Sequence, residues 1–105
     1  MTSLSTHVLD TSEGAPASGL AVTLERSVDG AWQHVGRGVT DADGRVADLG
    51  TALGSGIYRL VFATGHYGSP FYPEVHLVVD LDESETHYHV PVLLSPFGYT
   101  TYKGS

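Results

Sequence analysis

The sequence predicts an all-β fold, a sandwich or small barrel of short strands, and three observations carry that prediction. Thirteen glycines, with many Val, Thr and Tyr residues, suit tight turns and pleated strands better than helices. Leu20, Val22 and Leu24 alternate with Ala21, Thr23 and Glu25, the two-residue period of a strand with one buried face. Turn-forming pairs, Asp29-Gly30 and Asp43-Gly44, separate such blocks.

Taken in order, Leu4 to Leu9 opens the chain as a strand, and the strand around Leu20 to Leu24 follows. Asp29-Gly30 is a hairpin signal into a third strand from Trp32 to about Thr40. After the turn at Asp43-Gly44 comes Arg45, and 49–54 is the one stretch that could hold a short helix, weakened by Gly50 and Gly54. Ile57 to Ala63 is apolar enough for a central strand. Gly65-His66-Tyr67-Gly68-Ser69-Pro70 breaks the pattern and predicts a loop. Val75 to Leu81 is a strand, Asp82-Glu83-Ser84 a turn, and His87 to Leu94 a strand with Tyr88, Val90, Val92 and Leu94 on one face. Ser95-Pro96-Phe97-Gly98 turns the chain into a last strand from Tyr99 to Lys103. Seven or eight evenly spaced strands result.

A length of 105 residues suits a single domain spanning 1–105. Such a domain buries roughly 60 to 70% of its unfolded surface, enough for one core but not for a deep enclosed pocket. An active site in so small a chain is therefore expected to be shared between subunits. The chain has no cysteine, which excludes disulfides, a thiol nucleophile and thiolate metal sites. Five basic against twelve acidic residues give a net charge of -7, which disfavours nucleic acid and anionic lipid as partners. Apolar runs are shorter than a membrane span, and no basic-then-apolar leader is visible, so a soluble cytoplasmic protein is expected.

Six histidines is a high count for this length. His87 and His89 are two apart on a strand and project from the same face, with Pro91 and Leu93. The pair could chelate zinc or copper with His7 or His76 completing the shell, could transfer protons near neutral pH, or could be solvated surface. His7 sits mid-strand, where a hydrogen-bonded structural histidine is the commoner case. Arg45 after a turn is ordinarily a surface charge, and Tyr102-Lys103-Gly104-Ser105 ordinarily a frayed end. Asp41, Asp43, Asp80, Asp82, Glu83 and Glu85 fall in turn-like segments and suit a solvated acidic surface better than a paired acid and base. There is no Gly-x-Ser-x-Gly elbow, phosphate-binding glycine loop or His-Glu-x-x-His.

Three segments together resemble one family. They are Leu4-Ser5-Thr6-His7-Val8-Leu9-Asp10 followed by Gly14-x-Pro16-Ala17, then Thr40-Asp41-x-Asp43-Gly44-Arg45, then the unbroken run from His87-Tyr88-His89-Val90-Pro91 to Tyr102-Lys103-Gly104-Ser105. The chain is similar over essentially its whole length to the 5-hydroxyisourate hydrolases of the transthyretin-like (prealbumin-like) family. That resemblance implies a sandwich of two four-stranded sheets with at most a short helix. It implies a homotetramer with active sites at the dimer–dimer interface, and no metal or organic cofactor. The implied reaction is hydrolysis of 5-hydroxyisourate, the product of urate oxidation, to 2-oxo-4-hydroxy-4-carboxy-5-ureidoimidazoline.

Carried over by motif, His7 is the base or water-orienting residue and Arg45 binds the substrate's carbonyl and oxyanion edge. His89 positions water or relays a proton, and Tyr102 contacts substrate, with Thr100 and Ser105 beside it. The sequence departs from the family at Lys103, where arginine is usual. Lysine keeps the charge but loses the planar five-donor fork. Alternation turns Lys103 away from Thr100 and Tyr102, so activity is expected to survive. The family's helix before Phe71-x-Pro73-Glu74 is expected to be trimmed to a loop. Pro91 removes a ladder donor inside a strand, which predicts a bulge or a break in pairing nearby. The contrasting function is a non-catalytic small-ligand carrier like transthyretin, which lacks the counterparts of His7, Arg45, His89 and Tyr102.

Overall fold

A computed structural model describes residues 2–105, so the expected 1–105 domain is described in all but Met1. Nine strands and one helical turn follow in chain order: β1 Thr2–Asp10, β2 Ala15–Pro16, β3 Ala21–Val28, β4 Ala31–Val39, β5 Arg45–Leu53, β6 Gly56–Phe62, α1 Thr64–Tyr67, β7 Val75–Leu81, β8 His87–Ser95 and β9 Gly98–Thr101. They form two sheets. The second runs β4-β3-β6-β7. In the first, β1 lies between β8, which runs parallel to it, and β5, which runs antiparallel, while β9 pairs with the far side of β8. The two-residue β2 extends the β5 edge beside Leu9 and Asp10, adding a short fifth strand to the expected four.

The inward face of every long strand carries the core. Leu4 and Val8 of β1 and Val90, Val92 and Leu94 of β8 meet Val22 and Leu24 of β3 and Tyr58, Leu60 and Phe62 of β6, all buried. Burial of such side chains contributes about 1.5–3 kcal/mol each relative to exposure, and this is the main force closing the sandwich. Among the described residues, every buried side-chain nitrogen or oxygen has a hydrogen-bond partner. Thr40 is an example: its hydroxyl donates to the Ala17 carbonyl at 2.6 Å and accepts from the Leu20 amide at 2.9 Å.

The hairpin signal was sound. Asp29 and Gly30 lie at φ 52° and 81°, the paired left-handed conformations of a two-residue turn between β3 and β4. Two expectations need correction. Residues 49–54 hold no helix; they belong largely to β5. Val46, Leu49 and Leu53 are its buried positions, at helix-like intervals of three and four. Register shifts against β1, between Thr2/Leu4 and Leu4/Thr6, insert extra residues and convert that spacing into one strand face. The loop at 65–70 contains one helical turn, Thr64–Tyr67, closed at Gly68 by amide bonds to Thr64 and Gly65. It falls short of a two-turn helix because Gly68, at φ 132°, ends it.

The tension at Pro91 resolves as a break in pairing. The β8–β9 ladder runs from Ser95↔Gly98 to Val92↔Thr101, lapses at Tyr102 and Lys103, and resumes as a bridge between His89 and Gly104. The gap lies opposite the proline, which has no amide hydrogen to donate. The Thr101 hydroxyl instead donates to the Pro91 carbonyl at 2.9 Å. Among the described residues no helix is long and apolar enough to cross a membrane.

Candidate active site

With the even positions of β1 buried, Ser3, Ser5 and His7 project from the outer face of the first sheet. Parallel pairing sets Ser3 beside His87, Ser5 beside His89 and His7 beside Pro91. On its other edge His7 is in register with Arg45 at the start of β5. The Asp41–Gly44 turn delivers that arginine. The Asp41 carboxylate accepts from the amides of Asp43 at 2.9 Å and Arg45 at 3.0 Å, and the Gly44 carbonyl accepts from the Val8 amide at 2.8 Å. Those amides, Arg45's foremost, with the charges of Arg45 and His7, hold the Asp41 carboxyl below its usual range.

Three residues predicted separately from the sequence thus meet on one face. The rings of His7 and His89 are 6.4 Å apart between centroids, tilted by 34°. Burial first, then the charges of Arg45, His7 and His87, pushes the His89 imidazolium below the ordinary histidine range. This pushes His89 toward its neutral form, and a neutral imidazole can accept a proton.

The C-terminal segment folds back onto the same place. The Gly104 amide donates to the His89 carbonyl at 2.8 Å. A Cβ on Gly104 would stand 2.8 Å from His89 Cδ2, so glycine is what allows the segment to pack against the imidazole. Leu93↔Thr100 pairing puts Thr100 on the His89 face, while Tyr102 lies in the unpaired stretch beyond β9. Both are exposed, as is Ser105 beyond Gly104. Lys103 goes to the other face. Its ammonium pairs with Glu85 at 3.0 Å and stands 5.3 Å from the Tyr88 ring centre.

Sequence reasoning missed Ser3 and Ser5. The Ser5 hydroxyl lies 2.7 Å from His89 Nδ1 and 2.9 Å from His87 Nε2, and the Ser3 hydroxyl 2.6 Å from His87 Nδ1. Their parity with His7 was visible, but not that β1 would lie parallel against β8. His87 and His89 thus turn their nitrogens toward serines. His76, named as a third ligand, stands on β7 in the other sheet, paired with Glu74 at 3.0 Å. Among the described residues no three of His, Cys, Asp and Glu group as a metal site requires.

A cavity of about 400 Å³ lies elsewhere, between β7 and the C-terminal segment. Leu77, Val79, Leu81, Tyr88 and Val90 line it, and it includes Tyr102 but none of His7, Arg45 and His89. The three-residue cluster stands on an open sheet face.

The profile of the HIUase/Transthyretin family matches residues 4–104. The chain belongs to this family. Within it, the chain is 42% identical to 5-hydroxyisourate hydrolase of Salmonella dublin over 97% of its own length and 80% of that protein. The structure of Klebsiella pneumoniae 5-hydroxyisourate hydrolase superposes with a TM-score of 0.88 at 35% identity, covering 100% of both chains. Sea bream transthyretin in complex with thyroxine superposes equally well, with a TM-score of 0.89 at 35% identity, covering 96% of this chain and 93% of that one. Family members with two different activities thus share this backbone, and the fold alone does not choose between them.

Proposed function

We propose that the chain is a 5-hydroxyisourate hydrolase of urate degradation, and that His7, Arg45 and His89 perform the chemistry. One observation carries this reading: two imidazoles and a guanidinium share a sheet face on which burial pushes His89 toward its neutral form. A carrier of apolar ligands has no use for that arrangement. Relatives named 5-hydroxyisourate hydrolase support the reaction class.

Opening a cyclic acyl–nitrogen bond in water needs an activated nucleophile, stabilisation of the developing oxyanion and a proton for the leaving nitrogen. Neutral His89 takes the proton from water. Arg45, a permanent cation in register with His7, faces the oxyanion, a type of contact that supplies several kcal/mol where water is excluded. His7 orients the substrate or the water. Tyr102, Thr100 and Ser105 bind the substrate's remaining edge.

The reading extends to a homotetramer whose sites form where two dimers meet. An open sheet face cannot exclude water by itself, and a second copy laid over it can. The exposed Phe97 and Tyr99, packed against Phe71 and Tyr72 at the β8–β9 turn, offer further apolar surface for contacts between copies.

The test generates 5-hydroxyisourate in situ with urate oxidase and follows its decay with the wild type and with His7→Ala and His89→Ala, assembly being checked for each. The wild type is expected to accelerate decay and each variant to lose about 10²–10⁴-fold, as for a general acid or base. Spontaneous-rate decay with wild-type protein sinks the hydrolase reading, and full activity in both variants removes those histidines from the site.

A further inference from the structure

Four side chains on the outer face of the first sheet form one unbroken line of hydrogen bonds: Ser3 Oγ to His87 Nδ1 at 2.6 Å, His87 Nε2 to Ser5 Oγ at 2.9 Å, and Ser5 Oγ to His89 Nδ1 at 2.7 Å. Ser3 Oγ also reaches the Thr86 carbonyl at 3.3 Å. Each serine has one proton to give, so the directions of all these bonds are linked.

Only two arrangements satisfy every neutral member. In one, His89 Nδ1 donates to Ser5, Ser5 to His87 Nε2, His87 Nδ1 to Ser3, and Ser3 to the Thr86 carbonyl. His89 Nε2 then carries a free lone pair and is a base. In the other, every bond from Ser3 to His89 is reversed. Ser5 donates to His89 Nδ1, and His89 Nε2 bears the hydrogen and is an acid.

We propose that Ser3, His87 and Ser5 form a proton relay that sets the tautomer of His89 and switches Nε2 between base and acid during hydrolysis, a proposal that rests on the active-site reading above. The proton balance closes. Water attacking the substrate carbonyl gives its proton to His89 Nε2. The Nδ1 proton passes to Ser5 as Ser5 passes its own to His87 Nε2. The His87 Nδ1 proton passes to Ser3, whose own proton leaves to solvent at this exposed end. One proton enters and one leaves, so no imidazolium accumulates beside the Arg45 guanidinium, whose charge disfavours it. The same atom, Nε2–H, then protonates the leaving nitrogen. As the C–N bond breaks, the relay runs backwards, takes one proton from solvent, and restores the base form.

In this scheme Ser5 and His87 are positioning residues, since neither touches substrate. Ser5→Ala keeps His89 but removes its Nδ1 partner. Its kcat is expected to fall about 10- to 100-fold, as when a hydrogen bond orienting a functional histidine is lost, with KM changed less than about threefold. Ser5→Thr, which keeps a hydroxyl at that position, is expected to recover most of the rate. In mixed H₂O/D₂O the wild-type kcat is expected to curve with deuterium fraction, as several protons move together, and to become linear in Ser5→Ala. Added to His89→Ala, Ser5→Ala is expected to cost nothing further, because it acts only through that ring.

His87→Ala, at an exposed position, breaks the line one step further out and is expected to make the plot linear as well. It carries the test if Ser5→Ala does not fold. Wild-type kcat and a curved plot in Ser5→Ala or His87→Ala overturn the relay. So does a Ser5→Ala loss that adds in full to that of His89→Ala, which marks a purely structural role. A fully active His89→Ala instead overturns the active-site reading, and the relay with it.

Discussion

At the scale of single residues, the chemistry depends on charges held close together and unequally solvated. His89 is pushed toward its neutral form by burial and then by Arg45, His7 and His87, so part of that shift belongs to a neighbour that can be removed. Arg45→Met is expected to raise the pKa of His89, read by NMR titration of its ring, while lowering kcat/KM through loss of the oxyanion contact. An unmoved titration shows that the guanidinium does not act on this ring. Lys103 is the contrasting case. Its ammonium faces Glu85 and Tyr88 on the opposite side of the strand from His89. An exposed pair of this kind contributes about 0–1 kcal/mol to stability. Lys103→Ala is therefore expected to change kcat/KM by less than about threefold, on the grounds of that geometry. A large kinetic loss would show that the ammonium takes part after all.

At the scale of elements, short connections decide where the functional side chains stand. The Asp41–Gly44 turn brings Arg45 into register with His7, and the pairing gap at Pro91 lets the chain end return to His89. The helical turn α1 is tied to β1 by the Tyr67 hydroxyl, which donates to Asp10 Oδ2 at 2.8 Å. Burial first, then Asp10, pushes the Tyr67 phenol up to about 12. Asp10, held most strongly by the Ser12 side chain and also by Tyr67 and the amides of Ser12 and Glu13, is shifted below its usual range. A depressed carboxylate stabilises the fold above its unfolded pKa, and that contribution is lost as pH falls through the folded one. Tyr67→Phe is expected to cost about 1 kcal/mol at neutral pH, with the difference from wild type shrinking as Asp10 protonates. Denaturant unfolding at neutral and acidic pH measures it, and a pH-independent difference would mean that Asp10 is not the partner that matters.

On the scale of the whole molecule, two sheets share one core, and the outer face of the first sheet is left to carry chemistry. The second sheet carries the Glu25–Arg59 ion pair at 2.6 Å on its outer face instead. Activity on an open face requires a covering surface, so the proposed tetramer and the proposed reaction stand together. Dilution is expected to lower the specific rate as the sedimentation mass falls from four chains toward the single-chain 11.1 kDa. Constant specific activity across dissociation would show that one chain closes its own site.

What was legible in the sequence was local. The two-residue period placed most strands, and Asp29-Gly30 announced its hairpin because two adjacent left-handed residues leave few alternatives. The motifs at His7, Arg45 and His89 pointed to a site through family resemblance. β5 was not legible, because its buried residues fall at helical intervals and only bulges against β1 reveal the strand. Nor were Ser3 and Ser5, whose importance arises from parallel pairing with residues more than eighty positions away. By itself, then, the sequence determined which faces are apolar and which side chains are available for chemistry, since both follow from alternation along one strand. Only the tertiary structure decided which of those side chains touch, because register between distant strands is set by packing the whole core at once.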